Sequence, residues 1–163
     1  MPVQQARAQV NPQLEVSATA ILSLEVVIPI SAQEASPLNF GRFYPGANGG
    51  TIRITPGGYV STTSDVVIAA SAPGPGSFIV SGQGDATYAI NLPKGPVFLT
   101  STDGTKTMQV DGWITDPVNG DAKVKLAGGV QMVYLGATLH VGSLSQNPKG
   151  LYSGIYEINF AYN

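Results

Sequence analysis

Side chains able to do acid–base, nucleophilic or metal chemistry are few and scattered along this chain. The one histidine, His140, sits in ATLHVG. Leu139 and Val141 flank it, and neighbours in an extended chain point to opposite faces. Its imidazole is therefore expected on a surface or rim, with no chemical role. The chain has no cysteine, which excludes a thiolate nucleophile, a disulfide and a thiolate metal site. It also lacks a Gly-x-Ser-x-Gly elbow and a phosphate-cradling G-x-x-x-x-G-K-[ST] loop. Asp116, Asn119 and Asp121 share one turn, a donor set that suits calcium. The spacing and the bidentate Glu of a dedicated calcium loop are missing, and Asn, Asp, Pro and Gly are what any turn uses. Trp113 follows Val110-Asp111-Gly112 and is either a ligand platform or a packing residue, packing being the commoner use. This inventory predicts no enzyme, no metal and no cofactor.

The elements that must carry these residues are strands. The 163 residues fit one domain with a sizeable core. Charged residues make up only 11%, the net charge is −2, and the eight Lys and Arg form no basic run, which argues against a nucleic-acid partner. No apolar run reaches membrane-spanning length, so no membrane insertion is expected. There are 20 Gly and 12 Pro, and no stretch shows a helical period. Turn residues recur roughly every 8–12 positions, as in all-β sandwiches and barrels. Alternating runs predict strands at Leu38–Phe43, Thr51–Thr55, Val60–Ala70, Ser77–Ser81, Thr87–Leu92, Val97–Thr100, Thr107–Ile114, Lys123–Leu126, Val130–Val141 and Ile155–Tyr162. Asp103-Gly104 and Asn119-Gly120 read as hairpin turns, and Gly128-Gly129 as a bulge or turn. With no helices to make crossovers, the sheets should be antiparallel.

Both ends of the chain are unusual. From Leu14 to Ile30 every second residue is apolar: Leu14, Val16, Ala18, Ala20, Leu22, Leu24, Val26, Ile28 and Ile30. One strand of that length runs roughly 56 Å at about 3.3 Å per residue. A compact chain of this size has a radius of gyration of only about 15 Å. Just upstream, Ala6-Arg7-Ala8 has the small-x-small form of a signal-peptidase site without the apolar segment that should precede it. It is either the remnant of a leader or a chance match. At the other end, Tyr156, Ile158, Phe160 and Tyr162 alternate with Ile155, Glu157, Asn159 and Ala161, so the aromatic set should face the core and Glu157 and Asn159 should not. A terminal strand this apolar needs neighbours on both edges.

Four stretches occur in a telling order: LNFGRF (Leu38–Phe43), GGTIRITPGG (Gly49–Gly58), ATYAINLP (Ala86–Pro93), and GATLHVG (Gly136–Gly142) followed by GLYSGIYEINFAYN (Gly150–Asn163). Together they resemble a secreted bacterial family of domains of unknown function, which is similar in turn to spore coat protein U domains and to subunits of archaic chaperone–usher pili. The likeness runs from about Ala18 to Asn163. The tail adds to it: Tyr162 is penultimate and, counting Asn163 as position one, the fourteenth residue from the end is Gly150. Many pilins have a disulfide and this chain has none, which leaves the route of assembly open.

The resemblance implies an immunoglobulin-like antiparallel β-sandwich that lacks its last strand and is completed by an N-terminal extension from the next subunit, a form of β-strand addition. Residues 1–20 would be that extension, with Leu14, Val16, Ala18 and Ala20 as the donor set. Residues 21–163 would be the sandwich, with Leu22–Ile30 as its own first strand. Gly150, Tyr156, Ile158, Phe160 and Tyr162 would form the acceptor and C-terminal strand. Such contacts run head to tail and propagate into a fibre. The implied protein is a secreted structural subunit of a bacterial surface filament. Its partners would be other copies of itself, with a periplasmic chaperone and an outer-membrane usher. The competing reading is a self-complemented monomeric surface module that binds a glycan or a protein.

Overall fold

In the computed structural model, residues 21–118 and 124–163 are described. Among them the strands are β1 (Ser31–Ser36), β2 (Phe43–Tyr44), β3 (Gly50–Ile54), β4 (Val60–Thr62), β5 (Val67–Ile68), β6 (Gly76–Ser81), β7 (Thr87–Asn91), β8 (Val97–Ser101), β9 (Thr107–Asp116), β10 (Val124–Lys125), β11 (Val130–Val141), β12 (Tyr152–Ser153) and β13 (Asn159–Tyr162). The fold is all-β, and every strand pairing among the described residues is antiparallel.

Strand β11 organises the largest sheet. Its alternation buries Val133, Leu135, Ala137, Leu139 and Val141 and turns Met132, Tyr134 and His140 outward. One edge of β11 is shared in succession by β6, opposite residues 130–135, and β3, opposite residues 137–141. The other edge pairs with β9, with a register shift between Gly136 and Thr138. Gly112 of β9 lies at that irregularity with φ +62°, a conformation that strains any L side chain, and a Cβ there would meet Thr138 Oγ1 at 3.1 Å. The sheet order is β1-β6-β11-β9-β8-β12, with β3 and β4 branching from β11. A three-stranded sheet, β10-β7-β13, and a ribbon, β2-β5, complete the fold.

The change of partner along β11 coincides with a division of the core. Beneath its second half lie Phe40, Ile52, Ile54, Val66, Met108 and Val110. Beneath its first half lie Phe78, Val80, Tyr88, Ile90, Val124 and Leu126, capped by the three-stranded sheet. Trp113 packs against both groups, so packing is its role in the fold.

The hairpin expected at Asp103-Gly104 forms, closed by the Ser101 N–H donating to the Lys106 carbonyl at 2.9 Å, and Gly128-Gly129 forms a turn in which both glycines take positive φ, +65° and +83°. Asn119-Gly120 lies outside the described residues. Four strand expectations need correction. Leu38–Phe43 is not one strand: Asn39 makes an isolated bridge to Gly74, and ladder pairing starts only at Phe43 in β2. Val60–Ala70 is not one strand: the chain reverses at Ser64, which takes φ +56°, and β4 and β5 join different sheets. Ile155–Tyr162 is ladder-paired only from Asn159; before that the chain crosses from β8, the partner of β12, to β7, the partner of β13. Leu22–Ile30 is not the first strand of its own domain. That strand is the polar β1, paired with β6 from Ser31↔Ser81 to Ser36↔Ser77. Residues 21–27 run past the end of β6 without a ladder partner among the described residues, and Leu22, Leu24 and Val26 are 98%, 88% and 87% exposed.

Candidate interaction cleft

Two edge strands border an opening over the Phe40 half of the core. On one side the segment from Leu38 to Pro45 is tied outward: Asn39 exchanges two backbone hydrogen bonds with Gly74, and β2 pairs with β5. On the other side β12 is tied outward to β8. Each wall thus spends one edge of its backbone on its own domain, and neither β2 nor β12 has a second strand partner among the described residues. Between them lies a cleft of about 640 Å³. Its floor is formed by half-buried Leu99 and buried Met108, Val110 and Leu139, and its lining includes Phe40, Phe43, Trp113, Tyr152 and Tyr156. The charged residues in the lining are Arg42 and Lys149. An apolar trough with two unused strand edges is suited to receive an extended apolar segment. Backbone hydrogen bonds would hold it, and alternate side chains would enter the floor.

Tyr156 is the polar group most affected by this architecture. Its ring lies against Phe78 edge-on at 6.4 Å and over Trp113 at 5.3 Å. Its hydroxyl is buried with no hydrogen-bond partner among the described residues. Burial, and secondarily the Glu34 carboxylate, pushes that phenol up to about 12.

The residues singled out from the sequence separate into three groups. Gly150 and Tyr156 line the cleft. Ile158, Phe160 and Tyr162 lie on the same side of the chain but pack on the Phe78 half of the core, away from the cleft. The alternation itself is as expected: Ile155, Glu157, Asn159 and Ala161 are exposed, and the aromatic set faces inward, half-buried. Leu14, Val16, Ala18 and Ala20 lie outside the described residues, as do Asn119 and Asp121 of the candidate calcium turn. Among the described residues no group of three or more His, Asp and Glu comes together. No helix among them is long and apolar enough to cross a membrane.

Sequence reasoning missed two features. The first is the wall built by Leu38–Pro45, whose role depends on non-local packing; its Phe-rich LNFGRFY composition was the available signal. The second is a partner for His140. The imidazole is exposed at the rim as expected, but its Nε2 lies 2.7 Å from Asp111 Oδ1. Gln109 Nε2 donates to Asp111 Oδ2 at 2.9 Å. The His140 hydrogen bond is the main cause holding the Asp111 carboxyl below its ordinary range, with Gln109 adding to it.

A cluster of hydrogen bonds marks the point where the N-terminal segment leaves the domain. The Tyr162 hydroxyl donates to the Ile28 carbonyl at 2.7 Å and accepts from the Gln83 N–H at 2.6 Å. The Ile28 N–H donates to Gln83 Oε1 at 3.3 Å. A Cβ on Gly82 would stand 2.1 Å from the Tyr162 oxygen, so only glycine leaves room for this contact.

The family described as Domain of unknown function (DUF4402) matches residues 30–162. No curated protein matches the chain.

Proposed function

From the premise that the chain belongs to the DUF4402 family, we propose that it is a pilin-like structural subunit of a bacterial surface filament. In this reading its sheets form an incomplete immunoglobulin-like sandwich, and the described cleft is the place of the missing strand. The N-terminal segment of another copy fills it, with Leu14, Val16, Ala18 and Ala20 as donor residues and Gly150 and Tyr156 at the acceptor. Subunits of this kind are secreted and reach the surface through a periplasmic chaperone and an outer-membrane usher. The family description assigns no activity; the cleft and the resemblance of the chain to spore coat protein U domains and archaic pilus subunits support the reading.

The observation that carries the reading is the pairing of an apolar trough between two single-sided edge strands with an apolar alternating segment exposed on the same chain. An exposed apolar stripe and an open apolar trough are each costly in water. Joining them between copies removes both costs, and it does so head to tail without closing.

The test is size-exclusion chromatography with negative-stain microscopy on the full chain and on a Val16→Asp/Ala18→Asp variant. The reading expects filaments or ordered oligomers from the parent and monomers from the variant, because unpaired carboxylates are strongly disfavoured in an apolar trough. A parent chain that stays monomeric at all accessible concentrations would overturn it in favour of the self-complemented module.

A further inference from the structure

We infer that the contact with a second copy begins at Val26: Leu22, Leu24 and Val26 belong to the surface that enters the second copy's cleft, and Ile28 and Ile30 remain with their own domain. This rests on the proposed assembly by the N-terminal segment and fixes where that segment starts.

The boundary is set by hydrogen bonds and packing. Ile30 packs on the Phe78 half of its own core. Ile28 is held through both its N–H and its carbonyl, by Gln83 and Tyr162. Immediately upstream that hold ends, and Val26, Leu24 and Leu22 are almost fully exposed although they continue the same every-second-residue stripe. The stripe changes hosts where its home contacts stop: Ile30 is half-buried, Ile28 is 58% exposed but tied by two hydrogen bonds, and Val26, Leu24 and Leu22 are exposed.

The occupant is a second copy because the segment points the wrong way to serve its own cleft. β1 starts opposite Ser81 and ends opposite Ser77. Leu38, the first residue of the cleft wall, follows near Gly76, where a Cβ would lie 3.3 Å from the Leu38 nitrogen. Tyr156 is at that same end, its hydroxyl 3.1 Å from the same Cβ position. The segment upstream of Ile28 leaves at the Gly82–Gln83 end, separated from Leu38 by the length of β6, roughly 20 Å at about 3.4 Å per residue. Charge agrees with this pairing. Glu25 is the charged residue between Ile21 and Ile28, and the charged residues lining the cleft are Arg42 and Lys149.

The test compares the full-length parent, Leu24→Asp/Val26→Asp and Val16→Asp/Ala18→Asp, with self-association followed by sedimentation and amide exchange measured before and after assembly. Leu24→Asp/Val26→Asp should keep the melting temperature of the dilute monomer, since those side chains touch little at home, and should weaken association at least ten-fold. Backbone amides of residues 22–26 should exchange freely in the monomer and become protected on assembly, while the Ile28 amide is protected in both. If Val16→Asp/Ala18→Asp blocks assembly and Leu24→Asp/Val26→Asp does not, the assembly reading stands and this boundary is wrong. A fall in the monomer's melting temperature with Leu24→Asp/Val26→Asp also overturns the boundary, because it would make the segment a home strand. If the parent assembles and neither pair matters, the assembly reading falls and takes the boundary with it.

Discussion

The rings of Trp113 and Tyr156 lie 5.3 Å apart, tilted by 35°, and this stack bridges the two halves of the core beside the cleft. It buries the Tyr156 hydroxyl without a hydrogen-bond partner among the described residues. Replacing Tyr156 by Phe keeps the stack and removes an unsatisfied group. The variant should gain about 1 kcal/mol of stability at neutral pH, measured by guanidinium unfolding. A loss of that size would mean that the hydroxyl has a partner which matters.

The same residue governs an alkaline response. Its phenol is pushed up to about 12 in the folded chain, whereas an unfolded tyrosine titrates near about 10. Above the lower value the unfolded chain sheds a proton that the folded chain keeps. Stability is therefore whole below about pH 10 and falls as pH rises toward about 12. The Tyr156→Phe variant should lose less stability over that window than the parent. Equal slopes for the two proteins would refute the assignment.

On the acid side the relevant pair is Asp111 and His140. The Asp111 carboxyl is held below its ordinary range chiefly by the His140 hydrogen bond. A depressed carboxyl contributes stability above its unfolded value, and the contribution is lost as pH falls through the lowered folded value. Both side chains are more than a third exposed, so solvent screening keeps the pair's worth within about 1 kcal/mol. His140→Gln should move the Asp111 titration upward, as read by carboxyl chemical shifts, while folding and assembly persist. Loss of assembly in that variant would show a role for His140 that its rim position does not explain.

The C-terminal strand gives a mechanical prediction. Phe160 touches Phe78 at 5.8 Å and Tyr88 at 6.3 Å between ring centres, yet it is only half-buried. Phe160→Ala should cost about 2 kcal/mol, below the roughly 3–5 kcal/mol of a fully buried phenylalanine. Glu157→Ala on the opposite face should change stability by no more than about 0.5 kcal/mol. Reversal of the two effects in chemical denaturation would mean that the strand is slipped by one residue.

What could be read from the sequence was local. The alternation of Val130–Val141 specified the strand, its buried face and its length, because a period of two leaves one choice of face. The Asp103-Gly104 turn was legible for a similar reason: Gly104 takes φ +74°, which its residue type announces. Ser64 takes a positive φ without such an announcement, so Val60–Ala70 looked continuous. The Asp111–His140 contact was invisible because it depends on the register of two strands across a bulge. The cleft walls were invisible because Leu38–Pro45 and Tyr152–Ser153 meet only through long-range packing. The stripe from Leu14 to Ile30 said which side chains seek an apolar surface, but a pattern of that kind carries no information about which molecule supplies it.

That missing information can be obtained with a free peptide. A chain lacking residues 1–20 keeps the described cleft and the Ile28 anchor but loses Leu14, Val16, Ala18 and Ala20. A synthetic peptide of residues 10–22 offers those side chains back as an extended strand. A ligand that binds only the folded state raises stability by about 2.7 kcal/mol at one hundred times its dissociation constant. Saturating peptide should therefore raise the melting temperature of the truncated chain by several degrees, and Trp113 fluorescence should change as the floor beside it is covered. Alternation carries the specificity, so a peptide with Asp at the Val16 and Ala18 positions should do neither. If the truncated chain ignores the parent peptide and is already as stable as the full chain, the trough is not a strand acceptor.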